Sequence, residues 1–296
     1  MKKILLTGGS GFIGRNLRES FLSQAYELCA PSHAELDLSD TDSADSYFEN
    51  HRFDAVIHAA VKPGHRNAPD LTNLFFTNNR IFFNLVRHAD RCGRILNLGS
   101  GAIYDMRHYA PMMTEDYFGR YVPADEHGYN KYVCGKYMEN CPEDIVDLRI
   151  FGIFGKYEDY AIRFISNAMC KTLFDLPVSL RQDRQFSYLY APDLAHILAW
   201  FIEHKPKYRA YNITPDEVSS LFSLAEKVVE MSGKALPIKV GSSGEGLPYT
   251  GCNARLRAEM GGELRFTPME EAMKQLYSWY VSVKDTLNRD CLLYDK

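Results

Sequence analysis

The sequence predicts an α/β fold, a doubly wound parallel sheet followed by a smaller, mixed C-terminal lobe. Three observations carry that prediction. Short, nearly continuous apolar runs, each followed by a helical pattern, recur through the first half, as they do where helices cover both faces of a parallel sheet. A glycine-rich turn stands between the first run and the first helical pattern. Past Gly155 the regular alternation stops. The expected division is therefore residues 1–155 and 156–296, with segments near 180–212 returning to the first core.

The elements follow in chain order. Lys3–Thr7 reads as an apolar strand, and residues 11–22 carry Phe12, Ile13, Leu17 and Phe21 at helical spacing. Residues 27–30 read as a second short strand and 42–50 as a helix. Residues 55–61 (Ala-Val-Ile-His-Ala-Ala-Val) read as a buried strand, 75–89 as a long helix, 95–98 as a strand, 128–139 as a helix and 145–151 as a strand. Further on, a helix is expected at 163–173, a strand at 186–190, a helix behind Pro192-Asp193 at Leu194–Glu203 and a last helix at 269–280. Residues 241–246, Gly-Ser-Ser-Gly-Glu-Gly, are the most loop-like stretch.

Composition narrows the function. Of 296 residues, 46% are hydrophobic and 24% charged, a balance that can bury a sizeable core. Thirty-four basic against 38 acidic side chains give −4 at pH 7, which excludes the basic excess of a nucleic-acid binder. The apolar runs reach about half of the roughly 20 residues that span a bilayer, so no membrane partner is expected. Glycines interrupt the apolar start of the chain, unlike a signal peptide. The seven cysteines are an odd number and scattered, without a C-x-x-C pair. A reduced, cytoplasmic chain with no disulfide framework and no metal site is expected.

The strongest local signal is Thr7-Gly8-Gly9-Ser10-Gly11-Phe12-Ile13-Gly14. Gly8 and Gly11 let backbone turn and approach a diphosphate without a Cβ, Gly14 allows close helix–strand contact, and the helix start offers unpaired N–H groups to the anion. In this strand–turn–helix context the pattern predicts a Rossmann-type dinucleotide site at Gly8, Gly11, Phe12, Ile13 and Gly14. An acidic residue closing the second strand would select NAD. Here the segment reads Cys29-Ala30-Pro31-Ser32-His33. With Arg15 following the glycine turn, Ser32 and His33 favour NADP(H) over NAD(H).

At this point the chain resembles the extended short-chain dehydrogenase/reductases, within them the NAD(P)-dependent epimerase/dehydratase family that modifies nucleotide sugars. Thr7–Gly14 is similar to that family's glycine motif. Leu36-Asp37-Leu38-Ser39-Asp40 resembles the segment bordering the adenine, implying Asp37 and Leu38 as cofactor neighbours. His58-Ala59-Ala60 resembles the strand beside the ribose, which implies Ala59 and Ala60. Asn78 matches the family's helix asparagine. Leu98-Gly99-Ser100 resembles the strand ending in the catalytic serine or threonine, and Leu148–Gly155 the strand that follows the catalytic helix. Residues 30–37 together with Lys62 are most similar to the GDP-fucose synthase type of member, an NADPH-using epimerase/reductase, and so mark Lys62 for both cofactor and substrate.

The family's chemistry uses a tyrosine with a lysine four residues later. Tyr132-x-x-x-Lys136 satisfies that spacing, as does Tyr280-x-x-x-Lys284. The surrounding pattern fits better at His127-Gly128-Tyr129-Asn130-Lys131, with histidine in the tyrosine's place. Arg149 lies 18 residues after Lys131, which leaves room for a full helix and a turn, but only 13 after Lys136. The two pairs stand about 140° apart around a helix, so they cannot both face a cofactor. His127 and Lys131 are the preferred pair, with Tyr129, Tyr132 and Lys136 as alternatives. Imidazole titrates near 6.5, and a neighbouring ammonium lowers it further toward the neutral form.

Ser100 would hydrogen-bond the substrate oxygen, and Lys131 would hold the nicotinamide ribose. The family's arginine that commonly grips the substrate diphosphate falls on Phe186. Arg181, Arg184 and Arg255 are the candidates to replace it, because a guanidinium grips phosphate bidentately. Tyr104 is expected to line a sugar pocket, and His65 lies with Lys62 in a loop at the strand edge. Asp193 is read as a helix cap. The resemblance implies reduction or epimerisation of a nucleotide-activated sugar or related polyol through a keto intermediate, in surface-polysaccharide precursor synthesis. A homodimer is expected through the helices bearing Asn78 and Lys131, since Phe75, Phe76, Ile81, Phe82, Phe83, Leu85 and Val86 cover more than one helix face. The contrasting reading, a dinucleotide-binding sensor or partner protein without turnover, draws on the histidine at 127.

Overall fold

The computed structural model describes residues 1–65 and 67–293. Arg66, at the end of the Lys62 loop, lies outside them. The chain begins with β1 (Lys3–Thr7), α1 (Phe12–Arg18), α2 (Leu22–Ala25), β2 (Glu27–Cys29), α3 (Thr41–Asn50) and β3 (Ala55–His58). It continues with α4 (Leu74–Val86), β4 (Arg94–Ser100), α5 (Glu126–Asn140), β5 (Ile145–Ile150) and β6 (Gly152–Phe154). Then come α6 (Phe164–Leu173), β7 (Val178–Asp183), β8 (Gln185–Phe186), β9 (Tyr188–Tyr190), α7 (Leu194–Glu203) and β10 (Ala210–Ile213). The last elements are β11 (Ser219–Ser220), α8 (Leu221–Ser232), β12 (Ile238–Glu245), α9 (Ala254–Met260) and α10 (Met269–Ser282).

Six strands form one sheet in the order β10-β5-β4-β3-β1-β2, every neighbouring pair parallel. The strands are apolar at consecutive positions because both faces are covered. Ile4 and Leu6 face a core shared with α1, α7 and α9, whereas Leu5 faces one shared with α3, α4 and α5. The chain leaves β1 toward β2 and then crosses to β3 on its other side. That reversal opens the crevice at the carboxyl ends of the strands where ligands enter such sheets. A third core joins α6, α8 and α10 to β7 and β6, built from residues 154–292. Among the described residues, no helix is long and apolar enough to cross a membrane.

Several boundaries differ from expectation. The helix expected over 11–22 breaks into α1 and α2, because the Ser20 hydroxyl donates to the Leu17 carbonyl at 2.6 Å and accepts from Leu22 N–H, competing with the helical ladder. The strand expected over 55–61 ends at His58, where the chain leaves the sheet and Ala60 N–H donates to the Thr7 hydroxyl. The strand at 186–190 splits at the buried Ser187. Residues 241–246 are not a free loop. Most of them belong to β12, an exposed strand that pairs in parallel with β7 through backbone bonds that are blind to side-chain type. Helix α8 escaped the sequence reading although Leu221, Leu224, Ala225 and Val228 repeat at helical spacing and are buried.

Candidate active site

The glycine turn forms a cradle bare of side chains. Gly8 has φ 68°, and a Cβ there would come within 2.8 Å of the Ala59 carbonyl group. A Cβ on Gly14 would collide with the Gly8 carbonyl oxygen. Gly11 N–H closes the turn by donating to that same oxygen at 3.0 Å. Phe12 and Ile13 then start α1, whose first turn has no acidic residue or side-chain cap. Backbone packed this closely, opening onto a helix N-terminus, fits the pyrophosphate of a dinucleotide.

Beyond β2, Ser32 gives both its N–H and its hydroxyl to Glu35, at 2.7 and 2.8 Å. Glu35 thus brings to the strand end a carboxylate that the sequence reading of residues 29–33 did not include, and these hydrogen bonds lower its pKa. His33 is exposed, 3.4 Å from Asp37, and Asp37 accepts from the Ser39 N–H and hydroxyl. Leu38 is buried. The Arg15 guanidinium lies over the Tyr157 ring, 3.5 Å from its centre.

Between β3 and α4, Asn78 clasps the Lys62 backbone from both sides, accepting its N–H at 2.7 Å and donating to its carbonyl at 3.1 Å. The Lys62 ammonium donates to Asp70 and to the Thr72 carbonyl. The Lys62 side chain is therefore spent on its own loop, which its ion pair with Asp70 closes. His65 Nδ1 is buried, 3.8 Å from the Asp159 carboxylate.

Helix α5 carries the other half of the site. Asp125 caps it, accepting from Gly128 N–H at 2.8 Å. Gly128 lets its first turn press onto the 3-10 turn after Ser100, since a Cβ would come within 2.7 Å of the Ala102 carbonyl oxygen. His127, in that same first turn, is exposed. Lys131, one turn on, reaches toward the Leu98 carbonyl at 3.4 Å and acts electrostatically on both His127 and His58. Desolvation and then the Lys131 charge pull the His127 pKa down to about 4, although the residue is exposed. Its neutral form prevails at neutral pH. His58 is buried, held by the Thr7 hydroxyl at 2.8 Å, and is pushed down to about 3, chiefly by burial.

The alternative residues point elsewhere. Tyr129 is exposed and stacks on Phe75, with ring centres 4.9 Å apart. Tyr132 packs on Phe118, and Lys136 pairs with Glu139 at the surface. Tyr104 requires a correction, because it does not line a pocket. It is 1% exposed, donates to Asn212 Oδ1 at 2.6 Å and accepts from Arg149. Arg149 also donates to Asp147, whose other oxygen takes a bond from Asn97. This buried network locks the ring beneath the turn that follows Ser100. Arg255 is corrected likewise, since it binds Asp116 and the Ala210 carbonyl at the start of β10. Asp193 accepts from Thr267 N–H and hydroxyl rather than capping α7 with its side chain.

A cavity of about 480 Å³ opens among α6, β7 and residues 246–247, lined by Arg181, Arg184, Phe186, Phe164, Asn167 and Leu221. The Arg184 guanidinium lies over the Phe186 ring at 4.8 Å, and its buried Nε has no hydrogen-bond partner. Two arginines and an aromatic face suit a nucleoside diphosphate. Two groups at the cleft escaped sequence reading. Arg163 precedes α6 and acts on His127, and the Ser100 hydroxyl acts on the Tyr249 phenol. Nothing in their local sequence marks them, because the tertiary fold alone brings them here. Among the described residues, no group of three or more His, Cys, Asp or Glu could hold a metal ion.

Comparison with known proteins agrees with this fold. A sequence profile described as the NAD dependent epimerase/dehydratase family matches residues 4–214. A GDP-L-colitose synthase of Yersinia pseudotuberculosis is 35% identical over 106 residues, a match spanning 34% of this chain and 34% of that protein. A probable GDP-L-fucose synthase of Drosophila melanogaster is 22% identical over 329 residues, covering 96% of this chain and 99% of the relative. Among solved structures, a GDP-mannoheptose C4 reductase from Campylobacter jejuni with NADP bound shares the fold, with a TM-score of 0.80 at 16% identity over 95% of this chain and 98% of that one.

Proposed function

The chain belongs to the NAD dependent epimerase/dehydratase family, and from that premise we propose that it reduces or epimerises a nucleotide-activated sugar through a keto intermediate. The observation that carries this reading is one crevice at the carboxyl edge of the sheet. At that edge lie the bare glycine cradle after β1, Ser100 at the end of β4 and Lys131 of α5 near the Leu98 carbonyl, while the arginine-lined cavity lies in the C-terminal lobe. A GDP-linked sugar is the substrate class that the named relatives suggest, and Arg184 and Arg181 are its diphosphate partners. In the reductive direction a nicotinamide coenzyme supplies hydride. Gly8, Gly11 and Gly14 hold its pyrophosphate, and Lys131 engages the ribose beside the ring. Ser100 donates to the substrate carbonyl oxygen and fixes the keto group for attack. The proton comes from a phenol at the site, since His127 is neutral at neutral pH.

NADP(H) is the proposed coenzyme, with Arg15 and His33 as its 2′-phosphate partners. Glu35 counterbalances them, so the preference is modest. The protein is proposed to act in the cytoplasm, in synthesis of surface-polysaccharide precursors, as a homodimer built on α4 and α5. The decisive experiment incubates the protein with NADPH and GDP-4-keto-6-deoxymannose, following coenzyme absorbance and the sugar product. Consumption of NADPH marks a reductase, and a changed sugar with NADPH conserved marks an epimerase. Saturable NADPH binding without conversion of GDP- or UDP-linked keto sugars would favour a sensor instead.

A further inference from the structure

The C-terminal lobe returns to the cleft floor at Tyr249, and the chain there is clamped from two sides. Tyr249 N–H donates to the Gln185 carbonyl at 2.8 Å, and Ser187 N–H donates to the Tyr249 carbonyl at 3.1 Å. One residue on, Met113 N–H donates to the Thr250 carbonyl at 3.0 Å, and three residues on Cys252 N–H donates to that of Met113 at 2.8 Å. The ring is wedged between aromatic neighbours, its centre 5.1 Å from those of both Tyr109 and Phe151 and 5.5 Å from that of Phe186. Held in this way, the ring stands beside the turn that follows Ser100, where Tyr109 is anchored on the Gly101 carbonyl at 3.1 Å, and the Ser100 and Tyr109 hydroxyls act on its phenol. Arg184 and Arg163 direct positive charge at the same phenol, and the Tyr188 phenol lies close by. Both Tyr249 and Ser100 remain partly accessible to the crevice.

We propose that Tyr249 is the acid of the reaction, its phenol binding the same substrate oxygen as Ser100 and giving it a proton. This inference rests on the functional reading above. It assigns to a residue of the C-terminal lobe the task for which position 127 offers an imidazole. As the carbonyl carbon accepts hydride and forms its new C–H bond, the C=O π pair moves onto oxygen. That oxygen takes the Tyr249 proton and becomes the alcohol. The coenzyme is oxidised and the carbonyl reduced. The tyrosinate, flanked by Arg163, Arg184 and the Tyr109 hydroxyl, regains its proton from water. Burial raises the Tyr249 pKa, so the phenol is loaded at neutral pH, while the contacts with Ser100 and Tyr109 and the two guanidiniums act in the opposite sense and ease the proton's departure. His127 at about 4 carries no imidazolium proton to give.

Tyr249→Phe removes one oxygen and leaves the aromatic packing intact. With NADPH and GDP-4-keto-6-deoxymannose, its kcat should fall by about 100-fold or more, with NADPH affinity, read by fluorescence, unchanged within about threefold. The loss should exceed that of His127→Asn. The proposal is overturned if Tyr249→Phe keeps nearly full turnover. A second measurement needs no substrate. In protein labelled with 13Cζ-tyrosine, the resonance missing from Tyr249→Phe should shift in Ser100→Ala, and an unmoved resonance overturns the shared contact. Should the wild type bind NADPH but convert no keto sugar, the functional reading fails separately, and the resonance still decides the Ser100–Tyr249 pairing.

Discussion

The Arg149 guanidinium donates to the Asp147 carboxylate at 2.8 Å, and both side chains are almost wholly buried. The pair lies in β5 beneath the turn that presents Ser100. Asn97 donates to the other Asp147 oxygen, and Arg149 also donates to the Tyr104 hydroxyl, which in turn donates to Asn212. Removing one partner leaves an uncompensated buried charge. Arg149→Met should therefore cost about 3–5 kcal/mol of stability in urea unfolding. A cost below 1 kcal/mol would mean that the charge finds water.

Gly14→Ala tests the cradle. The added methyl runs into the Gly8 carbonyl oxygen, which cannot yield without opening the turn. Affinity for NADPH by fluorescence titration should fall by at least about tenfold, or 1.4 kcal/mol. Far-ultraviolet circular dichroism should stay close to wild type.

Ser100→Ala and Lys131→Met probe the chemistry. Each should lower kcat by about 10²–10³-fold on an accepted keto sugar. Lys131→Met should also weaken coenzyme binding, whereas Ser100→Ala should not. A variant with full turnover would remove that residue from the proposed mechanism.

His58 gives stability a pH dependence with a definite sign. Its folded pKa of about 3 lies below the ordinary value of about 6.5, so between these values the unfolded chain binds a proton that the folded chain refuses. Stability is complete above about 6.5 and falls with pH through the window, with a slope approaching 1.4 kcal/mol per unit from this group. In chemical unfolding between pH 6.5 and 5, above most carboxylate titrations, His58→Asn should flatten that slope.

Phe76 is 62% exposed on α4, beside half-buried Phe75 and Phe83. If α4 and α5 build the proposed dimer, Phe76→Asp should convert it to a monomer in light scattering. A wild-type monomer at micromolar concentration would refute that assembly.

The sequence by itself determined the parallel sheet, the glycine cradle and the placing of Lys131 on a helix behind β4. Those features depend on local spacing, strand apolarity and turn chemistry, which adjacent residues encode. It also favours Lys131 over Lys136, because helical phase and the distance to β5 are sequence quantities. Tertiary structure decided what the polar side chains do. Arg255 and Tyr104 look like substrate groups in a linear reading, yet buried charges and hydroxyls must be paired, and Asp116 and Asn212 claim them. Tyr249 comes within reach of Ser100, 149 residues away in the chain, only because β8 pairs with its backbone and the Met113 segment pairs with Thr250 and Cys252 just beyond it. No local pattern encodes such a contact, since its position depends on how the C-terminal lobe packs against the sheet.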